Sequence, residues 1–154
     1  MIRRKNGTDS SGTSAMEFAL LAPVFVFMLI GVIEVGRYMY FAILASHAAR
    51  AGVQYASQSV ETAADASVNG AGTRNAALAD GQNLTQWTVH ANILCTINGQ
   101  ASTCPQNTSN SVPANLVYYV EVKVSGTFTS LLHYPGIPNS FPMSATAIMP
   151  VSSQ

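Results

Sequence analysis

The chain has 154 residues, of which 48% are hydrophobic and only 9% are charged. A typical soluble domain carries about 25% charged residues. Seven basic and seven acidic side chains cancel, and the one dense charge cluster is Arg3-Arg4-Lys5, so no basic face is available for a nucleic-acid backbone. The composition excludes nucleic-acid binding and indicates an envelope protein with one small domain beside a membrane segment.

An uncharged apolar run extends from Phe18 to Ile33. As a helix it spans about 24 Å of a hydrocarbon layer that is about 30 Å thick. Glu34 and Arg37 follow it three residues apart, on one helical face, and are predicted to form an ion pair. Pro23 lies inside the run, where it either kinks the helix or sits harmlessly near its first turns.

The basic cluster Arg3-Arg4-Lys5 precedes the apolar run, which places the N-terminus in the cytoplasm and the C-terminal portion outside. We therefore expect a single pass through the bacterial inner membrane and a periplasmic C-terminal domain. The alternative is a secretory signal peptide cut after Ala49-Arg50-Ala51, but that site lies far beyond the apolar run.

A short hydrophilic leader ends in Gly12, Glu17 follows at the fifth position after it, and the apolar run comes next. This arrangement resembles the processing site of type IV prepilin-like proteins. The resemblance implies that a membrane aspartyl prepilin peptidase cuts between Gly12 and Thr13. It also implies that Glu17 neutralises the new Thr13 ammonium group of a neighbouring subunit during assembly. The alternative role for Glu17 is a helix-start carboxylate that complements the helix dipole.

The longer segment, with its motifs EFALLAP, EVGR and HAARAGVQYA, resembles the N-terminal signature of the TadE-like family. Members are minor pseudopilins of the tight-adherence, or Flp-type, pilus. Phe18 stands where Flp-type processing sites often have tyrosine. Residues 117–149 resemble the closing strands of that family more weakly.

The pattern beyond the membrane run keeps small and apolar residues at helical spacing, which predicts one helix over about residues 14–60. Its small-residue face either packs on neighbouring helices or faces the core of a single subunit. Residues 61–80 are predicted as a break or loop, with a short second helix from Ala76 to Asp80 that ends near Gly81.

Two alternating segments, WTVHANILCTI and VYYVEVKVSGTFTSLL, predict antiparallel strands with one buried face, and MSATAIM predicts a final strand. Asn98-Gly99 predicts a hairpin turn after the first of them. The expected fold class is α+β: a long N-terminal transmembrane and stalk helix with a small antiparallel β-sheet head, similar to a pilin.

Cys95 and Cys104 are the only cysteines. No second CxxC pair or histidine-rich segment completes a zinc site, so a single disulfide is the favoured interpretation and two free thiols are the alternative. The bond would close a loop of about ten residues around the predicted hairpin turn.

No catalytic or cofactor motif is present: there is no GxSxG elbow, no GxGxxG or Walker loop, and the histidines have no metal-ligand spacing. We expect no enzymatic activity, no metal and no cofactor.

The expected organisation is a leader over residues 1–12, the transmembrane and stalk helix over 13–60, and the head over 61–154. The resemblance implies a minor pseudopilin that takes part in assembly of adherence pili. Its implied partners are prepilin peptidase, the Flp-type pilin, other minor pseudopilins and the inner-membrane assembly platform. Alternatives are a membrane-anchored periplasmic binding module that never enters a pilus, and a secreted soluble protein.

Overall fold

The computed structural model describes residues 10–68, 70–82, 84, 86–104, 115–131 and 138–152, so the basic cluster Arg3-Arg4-Lys5 lies outside the described residues. The helices and strands are, in chain order, α1 (Ser10–Ala56), α2 (Val60–Val68), α3 (Ala71–Asp80), β1 (Thr88–Ile97), β2 (Gln100–Ser102), β3 (Leu116–Thr129) and β4 (Ser140–Pro150). A long apolar helix followed by a small antiparallel sheet confirms the α+β fold class expected from the sequence.

Packing divides the chain into two compact units, the first ending at Arg37 and the second beginning at Tyr38. Helix α1 contributes to both. The first unit holds the apolar run, and the second holds the head. The sequence places the end of the stalk helix near residue 60, whereas in the structure the head already includes the part of α1 from Tyr38 onward.

The core of the head forms between the C-terminal part of α1, the short helices and one face of the sheet. The buried residues of α1 are small, which lets the helix backbone approach the sheet closely: Ala45, Ala48, Ala49, Gly52, Val53 and Ala56. A Cβ atom on Gly52 would lie 3.1 Å from Val122 and 3.2 Å from Ala77. The small-residue face therefore faces this subunit's own core rather than a neighbouring helix.

The sheet has the strand order β2-β1-β3-β4, and each neighbouring pair is antiparallel. Val120, Val122 and Val124 of β3 are completely buried, as their alternation predicts. At the β1–β2 turn, Asn98 and Gly99 have φ values of 54° and 78°. These left-handed conformations are typical of a two-residue hairpin turn and confirm the prediction from the Asn-Gly dipeptide.

Helix α2 was not expected, because the sequence predicted a break or loop there, with a short helix only at Ala76–Asp80; that helix is the end of α3, and Gly81 caps it. Ser59 and Thr62 explain helix α2: the Thr62 N–H donates to Ser59 Oγ at 3.2 Å, and the Ser59 N–H donates to Thr62 Oγ1 at 3.1 Å. This reciprocal pair satisfies backbone donors at a helix start. Thr62 Oγ1 also lies 3.1 Å from the carbonyl oxygen of Ala56, the last residue of α1, and donates to it.

Candidate processing site and membrane anchor

Gly12 and Thr13 lie in the first turns of α1, and both are exposed. A Cβ atom on Gly12 would meet nothing within 4 Å, and Gly12 is not among the described glycines with a positive φ. Glycine in a helix interior costs about 1 kcal/mol relative to alanine. Neither packing nor backbone conformation therefore requires glycine at this position, and the same holds for Gly31 and Gly36 of α1.

Glu17 lies four residues after Thr13 and is also exposed. Residues four apart on a helix share a face, so the carboxylate and the Thr13 backbone lie on the same side of α1. Within the described part of the chain, Glu17 forms no ion pair; the pair found there joins two other residues. The site thus presents a carboxylate close to the peptide bond that the sequence predicts to be cut.

The apolar run after Glu17 is exposed on all sides of the helix. Leu20 is 77% exposed, Met28 is 68% exposed and Ile33 is 58% exposed, and these residues do not share one face. A helix that is apolar all round is stable only when lipid or other helices surround it. Residues Gly12–Ala56 form one helix that is long and apolar enough to cross a membrane.

Pro23 lies inside α1, and the helix continues through it. Proline has no N–H, so it cannot donate the usual helical hydrogen bond to the carbonyl of Ala19, four residues earlier. Phe18, at the start of the run, is 68% exposed. The exposed apolar surface begins directly after Glu17 and continues past the proline.

Glu34 and Arg37 mark the end of the first unit. Arg37 Nη1 donates to Glu34 Oε2 at 3.0 Å, and both side chains are partly buried. Pairing lowers the cost of carrying two charges next to an apolar surface, because each charge is partly neutralised by the other. The geometry matches the ion pair that the three-residue spacing predicts.

Aromatic residues follow the ion pair, and two of them pack against the sheet. The ring centroid of Phe128 in β3 lies 5.6 Å from that of Tyr38 and 5.9 Å from that of Phe41, both in edge-to-face arrangements. Such pairs add about 0.5 to 1.5 kcal/mol beyond area burial. These contacts tie the start of the head to β3.

Cys95 and Cys104 form a disulfide with a Cα–Cα distance of 5.1 Å. Cys95 is the buried member, at the end of β1, and the bond connects it to the segment that follows β2. Asn115 Nδ2 also donates to Asn98 Oδ1 at 2.7 Å, which links the turn to the start of β3. The hairpin at this end of the sheet is thus covalently held.

No group of three or more His, Cys, Asp or Glu residues that could hold a metal ion occurs in the described part of the chain. The chemistry available at the anchor is therefore that of a peptide bond, one carboxylate and one ion pair.

The family model for TadE-like protein matches residues 12–54 of the chain. The match includes Gly12, Glu17 and the Glu34–Arg37 pair, together with most of the α1 segment that packs in the head. A search of curated proteins and a search of solved structures found no match. The weaker likeness of residues 117–149 to the family lies outside the matched segment.

Proposed function

From the match of residues 12–54 to the TadE-like family, we propose that this chain is a Tad pilus-associated protein and, more specifically, a minor pseudopilin of an adherence pilus. A single arrangement supports the proposal. It consists of Gly12, which the fold does not require, the exposed Glu17 carboxylate five residues later, and an apolar helix that is exposed on all sides. Each part serves a subunit that is processed and then drawn from the bilayer into a polymer.

In this proposal, prepilin peptidase hydrolyses the Gly12–Thr13 peptide bond on the cytoplasmic side of the inner membrane. The leader leaves with a new carboxylate at Gly12, and Thr13 gains an ammonium group. Gly12 is exposed and has open space around it, so no packed side chain stands between this position and the peptidase. Removal of the leader also removes the basic cluster that holds the N-terminus at the cytoplasmic face.

Glu17 then guides assembly. A carboxylate within the apolar interior of a membrane or helix bundle costs several kcal/mol unless it is paired. The Thr13 ammonium of a neighbouring subunit supplies the missing charge. The pairing of the two groups favours one axial register between subunits, because a shift of either helix leaves both charges unpaired.

The head lies in the periplasm and later on the pilus, according to this proposal. The disulfide supports this placement, since structural disulfides persist in oxidising compartments and are rare in the cytosol. The partners are prepilin peptidase, the Flp-type pilin, other minor pseudopilins and the inner-membrane assembly platform.

A second candidate is a membrane-anchored binding module that remains in the inner membrane. The disulfide between Cys95 and Cys104 favours this second candidate. A turn that is held covalently and exposed at the end of the sheet can bind a partner with little loss of conformational entropy. The two candidates make different predictions for Glu17, because only a pseudopilin needs its carboxylate for assembly.

The test uses Glu17→Gln, which removes the charge and keeps the shape, in the native host. We expect normal amounts in membranes and at least a tenfold decrease in the sheared pilus fraction, since about 1.4 kcal/mol of lost pairing corresponds to one factor of ten. Glu61→Gln, in the exposed first turn of α2, is the control for loss of one negative charge. Wild-type incorporation of Glu17→Gln, with function lost instead on removal of the disulfide, would favour the binding module.

A further inference from the structure

Strand β4 forms the long open edge of the sheet. It pairs with β3 on one side, and the strand order gives it no neighbour on the other. The opposite edge consists of β2, which has three residues, and the rest of β1 is in contact with α2 and α3. Within the described residues, β4 thus leaves an extended edge with backbone groups left to pair, whereas the part of β1 beyond β2 is in contact with α2 and α3.

The register identifies which backbone groups point outward. The Val151 N–H donates to the Tyr118 carbonyl at 2.8 Å, and the Ser130 N–H donates to the Asn139 carbonyl at 2.9 Å. In an antiparallel pair the hydrogen-bonded positions alternate, so the odd-numbered residues of β4 face β3. The N–H and C=O groups of the even-numbered residues point away from the sheet.

Three N–H donors therefore lie along the open edge, those of Ser144, Thr146 and Ile148. Pro142 and Pro150 occupy the outward positions on either side, and they have no N–H to donate. Beyond Pro150, the next outward group is already paired, because the Ser152 N–H donates to the Ser57 carbonyl at 3.0 Å. The open edge thus has defined ends and admits a strand of about five to seven residues.

Between its two prolines, this edge lacks the other features that usually prevent strand addition. Residues 138–152 contain no charged side chain, although edge strands commonly carry lysine or another inward charge to block pairing. Ile148 is 55% exposed on the strand. An uncharged edge of this length is suited to binding another β-strand through main-chain hydrogen bonds.

A groove beside the open edge contains an arginine and therefore favours a negatively charged binding partner. It has a volume of about 370 Å³ and lies between Arg50 and Gln54 of α1 and residues 146–149 of β4. Among the described residues, Arg50 has no ion-pair partner. A strand added to β4 would place alternate side chains over this groove, where a carboxylate would meet the guanidinium.

We propose that the open edge of β4, between Pro142 and Pro150, binds an extended acidic segment of a different pilus protein as a fifth strand. The identity of the partner as a pilus protein rests on the proposed function. Free main-chain donors and acceptors in this spacing are recognised by another extended backbone, and Arg50 selects a segment with Asp or Glu facing α1.

A second copy of this chain does not fit the edge. Residues 138–152 contain no charged side chain, so a second β4 strand would bring no Asp or Glu to meet Arg50. A head-to-tail sheet through β2 would offer only three residues for pairing.

The experiment uses the full-length chain in native-host membranes, with a photo-reactive benzophenone side chain replacing Ser144. The major pilin and each other pseudopilin of the host are tagged in turn as the probes. Thr146→Pro removes the central outward donor and leaves the ladder to β3 intact, because Thr146 lies at a position that does not bond to β3. Thr146→Val keeps the donor and is the matched control.

We expect one tagged pilus protein to cross-link to the wild type. Thr146→Pro should reduce the yield about tenfold, and Thr146→Val should not reduce it. Arg50→Glu, on an exposed position of α1, should reduce the yield several-fold without altering the fold, and a Glu→Lys or Asp→Lys change in the partner segment should restore it. Unfolding monitored by Trp87 fluorescence checks that each variant folds.

Three results would overturn the proposal: a folded Thr146→Pro variant that cross-links like the wild type, a cross-linked dimer of this chain, or no tagged pilus protein cross-linked at Ser144. The N-terminus of the mature protein is read in the same membranes. A cut leader without a cross-link refutes the edge proposal alone. An uncut leader in the wild type refutes the proposed function, whatever the edge binds.

Discussion

The indole ring of Trp87 lies directly against Gly126 of β3, with no room for a Cβ atom between them. Trp87 is 7% exposed and belongs to the buried core of the head. It precedes β1, so the contact lies at the end of the β1–β3 ladder, where Thr88 pairs with Ser125. Glycine at position 126 is thus required by close approach of a side chain, in contrast to Gly12.

Gly126→Ala should destabilise the head by about 1 to 3 kcal/mol, because the added methyl group displaces the indole ring from a packed core. Denaturant unfolding of the full chain in detergent micelles measures the change. Trp87 is the only tryptophan, so its fluorescence reports on this contact. Gly36→Ala is the control, since a Cβ atom there meets nothing within 4 Å. Equal stability of the wild type and Gly126→Ala would contradict the close contact.

Replacing both cysteines, Cys95→Ala with Cys104→Ala, should destabilise the head by about 2 to 3 kcal/mol, the loop-closure entropy expected for a loop of about ten residues. The same unfolding assay measures it. Reducing the wild type with dithiothreitol should give a similar loss, and the reductant should leave the double variant unchanged. A head whose stability does not respond to the reductant would show that the two thiols are not joined.

Because Glu34 and Arg37 form an ion pair, we expect a variant with two neutral side chains at these positions to insert into the membrane better than a variant that keeps only one of the charges. Arg37→Gln removes the cation that pairs with Glu34, and Glu34→Gln removes the anion that pairs with Arg37; each should lower the membrane-inserted fraction. The cost should be below the roughly 3 kcal/mol of a charge at the bilayer centre. The double variant should recover most of the loss, as measured by protease protection of the head. Additive losses would indicate that the two charges act independently.

The sequence predicted the parts of the fold that rest on local patterns. Val120, Val122 and Val124 alternate with polar residues, and all three are buried in the structure. Asn98-Gly99 specifies its turn because both residues tolerate positive φ. Long apolar or alternating segments carry their own structural signal, and these predictions needed no knowledge of tertiary contacts.

Short elements and open edges were harder to predict. Helix α2 has no long apolar period, and its only clear signal is the Ser59–Thr62 capping pair, which the composition of the following residues obscures. The open edge depends on strand order, which brings β4 to the outside of the sheet. Arg50 and Thr146 are far apart in sequence, so their shared groove could not be predicted from spacing.

The processing site was predicted from Gly12, Thr13 and Glu17 alone, because it depends on short spacing next to an apolar run. The structure adds that the glycine has no packing role and that Glu17 is exposed. Cleavage itself stays a prediction.

The N-terminus of the mature protein tests the central claim most directly. Mass spectrometry of the protein from native-host membranes should find Thr13 as the first residue, and Gly12→Leu should leave the leader attached while the head still folds. Gly36→Leu, at an equally open position of α1, is the control and should be cut normally. An intact leader in the wild type, with the peptidase present, would contradict the account.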